Sequence, residues 1–178
     1  GAIQWEGIDA NFTGTTFNAN QSASYRGGAI IATTGALRFS KCVFSGNTSG
    51  ARGGAVRGES VVLSFSNSSF TGNESAINGG ALSVENAILT LTSNTFTSNK
   101  SEYHGGVLDA KDSNSTTTNC HFTSNLTGNN GKGGAIAVEN GFWNDSSSFF
   151  SSNVSVWQGG AVSWKNAAGS VVGSTFTA

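Results

Sequence analysis

The chain has 178 residues with 25 glycines, no proline, no methionine and only 11% charged residues. So little Lys and Glu among so much Gly, Ser, Thr and Asn disfavours helices and favours turns and short strands. A formal net charge of -1 gives no electrostatic reason to expect nucleic acid or an anionic membrane as a partner, and no apolar run approaches bilayer-spanning length.

The chain opens on Gly1-Ala2-Ile3, the tail of a motif that recurs in full along it. Gly-Gly pairs stand at Gly27-Gly28, Gly53-Gly54, Gly79-Gly80, Gly105-Gly106, Gly133-Gly134 and Gly159-Gly160, spaced by 26, 26, 26, 28 and 26 residues. Each is followed by Ala or Val and then by Ile, Val or Leu. A second motif, Phe-x-x-Asn, keeps step with it. Counted from the second glycine as zero, its phenylalanine falls at offset 16 in every copy: Phe17, Phe44, Phe70, Phe96, Phe122, Phe150 and Phe176. Seven in-phase copies mark a solenoid, in which one unit cannot bury its own inner face and stacked units share a core.

Within a unit, offsets 2 and 4 are mostly apolar (Leu82 with Val84, Ile136 with Val138), which predicts a first strand. Offset 5 is the one repeated acidic column, Glu6, Thr33, Glu59, Glu85, Lys111, Glu139 and Lys165, read as a solvated turn with weak ion pairs. Offsets 9 and 11 (Leu37 with Phe39, Leu63 with Phe65, Leu89 with Leu91) predict a second strand, from which the polar run Ser113 to Asn119 departs. Offsets 14 and 16, as in Cys42 with Phe44 and Cys120 with Phe122, predict a third. Cys42 and Cys120 share an offset three units apart, about 14 Å in a stack with 4.8 Å rungs, so two buried thiols are expected rather than a disulfide.

The expected fold is therefore all-β: a right-handed parallel β-helix of about seven coils of 26 to 28 residues, three short strands per coil, forming one domain over residues 1–178. It has the look of an excerpt from a longer array, with further coils or neighbouring subunits covering at least one end. The Phe column is expected to stack inside, so that Phe44→Ala or Phe96→Ala would be among the most damaging changes. Asn20, Asn47, Asn73, Asn99, Asn125 and Asn153 all sit in N-x-Ser/Thr sequons, yet glycans on neighbouring rungs would collide; an inward amide ladder is expected instead. Asn11, Asn67, Asn114 and Asn144 are sequons read as outward and are the glycosylation candidates.

These paired motifs resemble the repeats of the polymorphic membrane protein (Pmp) family, best known as chlamydial autotransporter adhesins, with similar repeats in surface proteins of other microbes and protists. The resemblance covers the whole chain. It implies a β-helical passenger displayed outside the cell and engaged in adhesion, with a host receptor or glycans as partners, or in building a surface layer or filament.

Chemistry is sparse. β-Helical polysaccharide lyases and hydrolases need carboxylates clustered on neighbouring coils, which would here have to come mostly from elsewhere. A cation or substrate site around Glu59 and Glu85 is the acidic alternative. His104, Asp109, Asp112 and His121 share one coil, but their offsets spread them over different faces. No catalytic residue, metal ligand or cofactor site is assigned. Before each Gly pair stands a polar column, Arg26, Arg52, Asn78, His104, Lys132 and Gln158, preceded by a column holding Tyr25, Tyr103 and Trp157. These rings are expected to pack inward with the polar tips in water, the alternative being a sugar or acidic partner bound beside them. Offset 1, nearly all Ala, is read as a flat outward face suited to lateral packing, and paired outward Thr such as Thr95 with Thr97 raise an ice-binding alternative.

Overall fold

The structure, a computed structural model, describes residues 1–24 and 26–178. It is a parallel β-solenoid of seven coils, with no helix among the described residues. Equivalent strands stack in register, so that Phe70 lies between Phe44 and Phe96, and Leu63 between Leu37 and Leu89.

Each full coil contributes four strands rather than the three expected. The first sheet contains Ile30–Ala32, Val56–Glu59, Leu82–Glu85, Leu108–Lys111, Ile136–Glu139 and Val162–Lys165 with Ile3–Trp5 at its start. The second is built from segments such as Val62–Ser66 and Asn114–Thr118, and the third from those carrying the phenylalanines, such as Thr95–Thr97. The fourth consists of two-residue strands such as Thr48–Ser49 and Glu74–Ser75. Two residues are too few to display an alternation, which is why this sheet leaves no periodic trace in the sequence.

Four sheets require four corners, and left-handed residues recur at each of the four. Ser60, Asn86, Asp112, Asn140 and Asn166 turn the first, Lys41, Asn67, Ser93, Asn119 and Ser147 the second, and Gly46, Gly72, Ser98, Ser124 and Ser152 the third. The fourth corner is always glycine, as at Gly53 and Gly79. A Cβ on Gly79 would lie 2.1 Å from the Leu82 carbonyl oxygen, and one on Gly80 would lie 2.1 Å from the Gly106 oxygen of the next coil. The first glycine of the pair thus makes the turn and the second admits the neighbouring backbone.

The core is a column of phenylalanines, Phe17 through Phe176, with successive centroids 4.5 to 4.9 Å apart and interplanar angles of 17° or less. Phe12, Phe39 and Phe65 form a second, shorter stack that meets the first edge-on. Beside the rings the Asn side chains run inward. Asn73 donates through Nδ2 to the Phe44 carbonyl at 3.0 Å and to Asn99 Oδ1 at 2.9 Å, and its own Oδ1 accepts from the backbone N and the Nδ2 of Asn47. All four bonds of the amide are used, and the same links join Asn20, Asn47, Asn73, Asn99, Asn125 and Asn153. Asn47, Asn73, Asn99 and Asn125 are fully buried, leaving no space for a glycan there.

Two sequence expectations are corrected. The Ala column is not an outward face: Ala29, Ala55, Ala81 and Ala135 are fully buried in the core. Alternation does not carry through the Gly-Gly corner, where the chain changes direction and both offset 1 and offset 2 end up inside. The polar run of the fifth coil keeps the strand alternation, its inward positions being polar. Ser115 and Thr117 are buried; Thr117 takes a hydrogen bond from Trp143 Nε1 at 3.2 Å and donates to the buried carboxylate of Asp145, which Ser174 also caps.

Candidate functional site

The first sheet is covered on both sides. In Leu82–Glu85 the inward Leu82 and Val84 are buried, and so is the outward Ser83; Arg57, Asp109 and Ala137 at the same outward offset are buried as well. The cover is the polar column that precedes each Gly pair. As the chain rounds the fourth corner these side chains lean over the first-sheet strand of the following coil, making a furrow along the rod. They do not simply reach into water, as expected from sequence.

The lower half of the furrow is filled by a network of ion pairs. Arg57 is 1% exposed, with Nη2 at 2.5 Å from Glu85 Oε2 and 3.7 Å from Glu59 Oε2, and Nη1 donating to Ser83 Oγ at 3.1 Å. Arg26 reaches Glu59 at 3.0 Å, while Arg52 and Lys111 flank Glu85 at 3.5 and 3.7 Å. The hydrogen bond from Arg57 holds the Glu85 carboxyl below its ordinary range, against the burial that would raise it. At Glu85 this departs from the reading of the acidic column as a solvated turn, while Glu59, Lys111, Glu139 and Lys165 keep much of their exposure. It also occupies the cation site considered at Glu59 and Glu85, because a guanidinium already sits there.

The upper half is built differently. Asp109 is buried, and its hydrogen-bond partners are neutral: Asn78 Nδ2 at 3.2 Å and Ser83 Oγ at 3.5 Å. Burial pushes its pKa up to about 6, opposed by Arg52, the Asn78 hydrogen bond and Arg57. Asn78 in turn accepts from the backbone N–H of His104 at 3.1 Å. Burial, reinforced by Lys132, moves the His104 imidazole below its ordinary value, and its Nδ1 is buried without a hydrogen-bond partner. Between them lies a cavity of about 60 Å³, lined by His104, Asp109, Lys132, Glu139, Ser163 and Lys165. It exists because the outward column continues through Ala137, whose methyl group leaves open the volume that an arginine fills three coils below.

Of the four residues of one coil, His104, Asp109, Asp112 and His121, two meet here. His104 and Asp109 share the cavity, whereas Asp112 stands at an exposed corner and His121 is exposed on the third sheet. Sequence offsets placed His104 and Asp109 on separate faces because one lies before the glycine corner and the other after it. Among the described residues no group of three or more His, Cys, Asp or Glu is placed to hold a metal ion.

Lys132 also lies 4.7 Å over the ring of Trp157, which is 59% exposed at the rim. Tyr103, one residue before His104, is 42% exposed. Both rings thus face outward, opposite to the expectation; Tyr25 lies outside the described residues.

Elsewhere, Asn11, Asn67, Asn114 and Asn144 are exposed, and Cys42 and Cys120 are buried free thiols, the latter pushed up in pKa by burial. On the outer face of the third sheet paired threonines occur at Thr95 with Thr97 and Thr175 with Thr177, while other coils present Val43, His121 or Phe149. A regular threonine array is therefore interrupted by apolar and aromatic side chains.

Two stretches, residues 41–59 and 67–85, match the Chlamydia polymorphic membrane protein repeat. Each runs from the second corner through Phe-x-x-Asn and the Gly-Gly corner to the end of the first-sheet strand, so the match is to this coil unit and its register. No curated protein and no solved structure matches the chain.

Proposed function

From a parallel β-helix built of polymorphic membrane protein-type repeats, we propose a non-enzymatic passenger segment, displayed at a cell surface and used for adhesion. The observation that carries this reading is the matched repeat in its folded setting. Every motif residue is spent on stacking, so the rod is a scaffold whose outward positions are free to differ from coil to coil. The alternative of a surface layer or filament loses one support, the Ala column as a flat outer face for lateral packing, because that column is buried. What the flanks do present is varied: Val62, Ile88 and Phe142 at the start of second-sheet strands, and Trp157 and Tyr103 between the fourth sheet and the Gly-Gly corner.

The test is adhesion of beads coated with the 178-residue chain to cultured host cells, against albumin-coated beads. Binding above the albumin level that soluble chain competes away is the expected result. Equal adhesion of both bead types would overturn the adhesive reading, and self-assembly in sedimentation velocity without adhesion would replace it with a structural one.

A further inference from the structure

The upper furrow holds an open cavity with unmet hydrogen-bonding demand, and its lining selects among ligands. Lys132 and Lys165 face the volume alongside Asp109 and Glu139, so formal charges cancel: a cation is repelled by the ammonium groups and an anion by the carboxylates. Lys165 is already tied to Glu139 at 2.6 Å. An apolar group would leave His104 Nδ1 without a partner, and an unmet buried polar group is costly. The chemistry that suits all of these is the hydroxyl, which donates to a carboxylate or an imidazole nitrogen while accepting from an ammonium. At about 60 Å³ the cavity has room for a few water-sized groups. That suits one or two hydroxyl groups, and not a whole ring. The rest of such a ligand would lie outside the cavity, toward Trp157, which is 59% exposed and carries the ammonium of the cavity-lining Lys132 over one face, leaving the other for a ligand. The electron-rich indole face that attracts the ammonium also attracts the C–H face of a sugar ring.

We propose that the cavity between His104, Asp109 and Lys132 is a binding site for a neutral sugar, which inserts a hydroxyl-bearing edge and rests its ring on Trp157. Asp109 and His104 Nδ1 accept from the inserted hydroxyls, Lys132 donates to them, and Ser163 completes the lining. The inference relies on the adhesive reading for its biological role but not for its chemistry. It places recognition on three successive coils of one face, leaving the matched repeat motifs to the scaffold.

The experiment is heteronuclear NMR of the 178-residue chain titrated with glucose, galactose, mannose and N-acetylglucosamine, with sodium acetate, ammonium chloride and inorganic phosphate as ionic probes. At least one sugar is expected to shift the His104 ring and Trp157 indole resonances saturably at millimolar concentration, with smaller effects from the ions. Trp157→Ala and Asp109→Asn should each weaken that sugar by about tenfold or more, while a spectrum otherwise unchanged shows the fold intact. No shift by any of the four sugars, shifts by an ion alone, or sugar binding indifferent to both substitutions would overturn the proposal. Because adhesion of coated beads is scored separately, adhesion without sugar binding removes this site and leaves the passenger reading standing. Sugar binding without adhesion does the reverse.

Discussion

The two halves of the furrow use the same two columns of side chains and arrive at opposite results. Around the third and fourth coils, Arg57 lies under Glu59 and Glu85 and the space is filled; around the fifth and sixth, Ala137 takes the equivalent position and the space is open. In a solenoid the backbone repeats, so the size and charge of a single outward residue decide whether a coil contributes stability or a site. The contrast extends to electrostatics: Glu85 sits beside a guanidinium and is held low, whereas Asp109 has only neutral hydrogen-bond partners and is held high.

The largest effect should come from what both halves share. Phe96→Ala removes a ring stacked between Phe70 and Phe122 and is expected to cost about 3–5 kcal/mol in denaturant unfolding, setting the scale for the others. Arg57→Ala should follow at about 3 kcal/mol, since it empties the lower furrow and strips Glu85 of its closest partner. Arg57→Met, keeping the volume without the charge, should recover part of that loss; equal loss in both variants would mean that the ion pairs, and not the filling, hold the lower half.

Asp109→Asn is expected to stabilise the protein at pH 8, by on the order of 2–3 kcal/mol. With its pKa raised to about 6 from 3.8, the folded state binds more protons than the unfolded one in between. The stabilising contribution is therefore fullest below about pH 4 and is lost as pH climbs through about 6. His104 works in the opposite sense, because its lowered pKa makes stability fall as pH drops through the ordinary histidine range. Melting temperatures across pH 4 to 8 separate the two, as only the Asp109 component disappears in the variant. The smallest change belongs to Lys165→Ala. Its pair with Glu139 is exposed on both sides, so thermal unfolding should move by less than about 1 kcal/mol even though the cavity loses a wall residue.

Much of the fold was legible because the repeat fixes register: the offset of Phe96 under Phe122, or of Asn73 under Asn99, follows from spacing alone. What escaped was whatever a corner conceals. Thr48–Ser49 is too short for alternation, and Ala55 was assigned outward by counting through a glycine with positive φ. The candidate site was least legible of all. His104, Asp109 and Ser163 come from either side of corners on different coils, and only the lean of the polar column over the first sheet brings them together. An outward column running Arg57, Ser83, Asp109, Ala137, with its drop in side-chain size, was the available signal.

The Asn ladder carries a consequence for how such a rod changes length. Each amide donates in the same sense, from Asn47 to Asn73 to Asn99 to Asn125, and each link joins identical atoms at identical positions. Any coil is thus a plug that fits any socket of the same polarity. Deleting or duplicating a whole unit, from one Asn to the next, restores every link with a different neighbour and no orphaned amide, whereas losing a fraction of a unit breaks the line. Reach is then a dial with stops about 4.8 Å apart, and the distance at which a site is held can drift through evolution independently of the site itself.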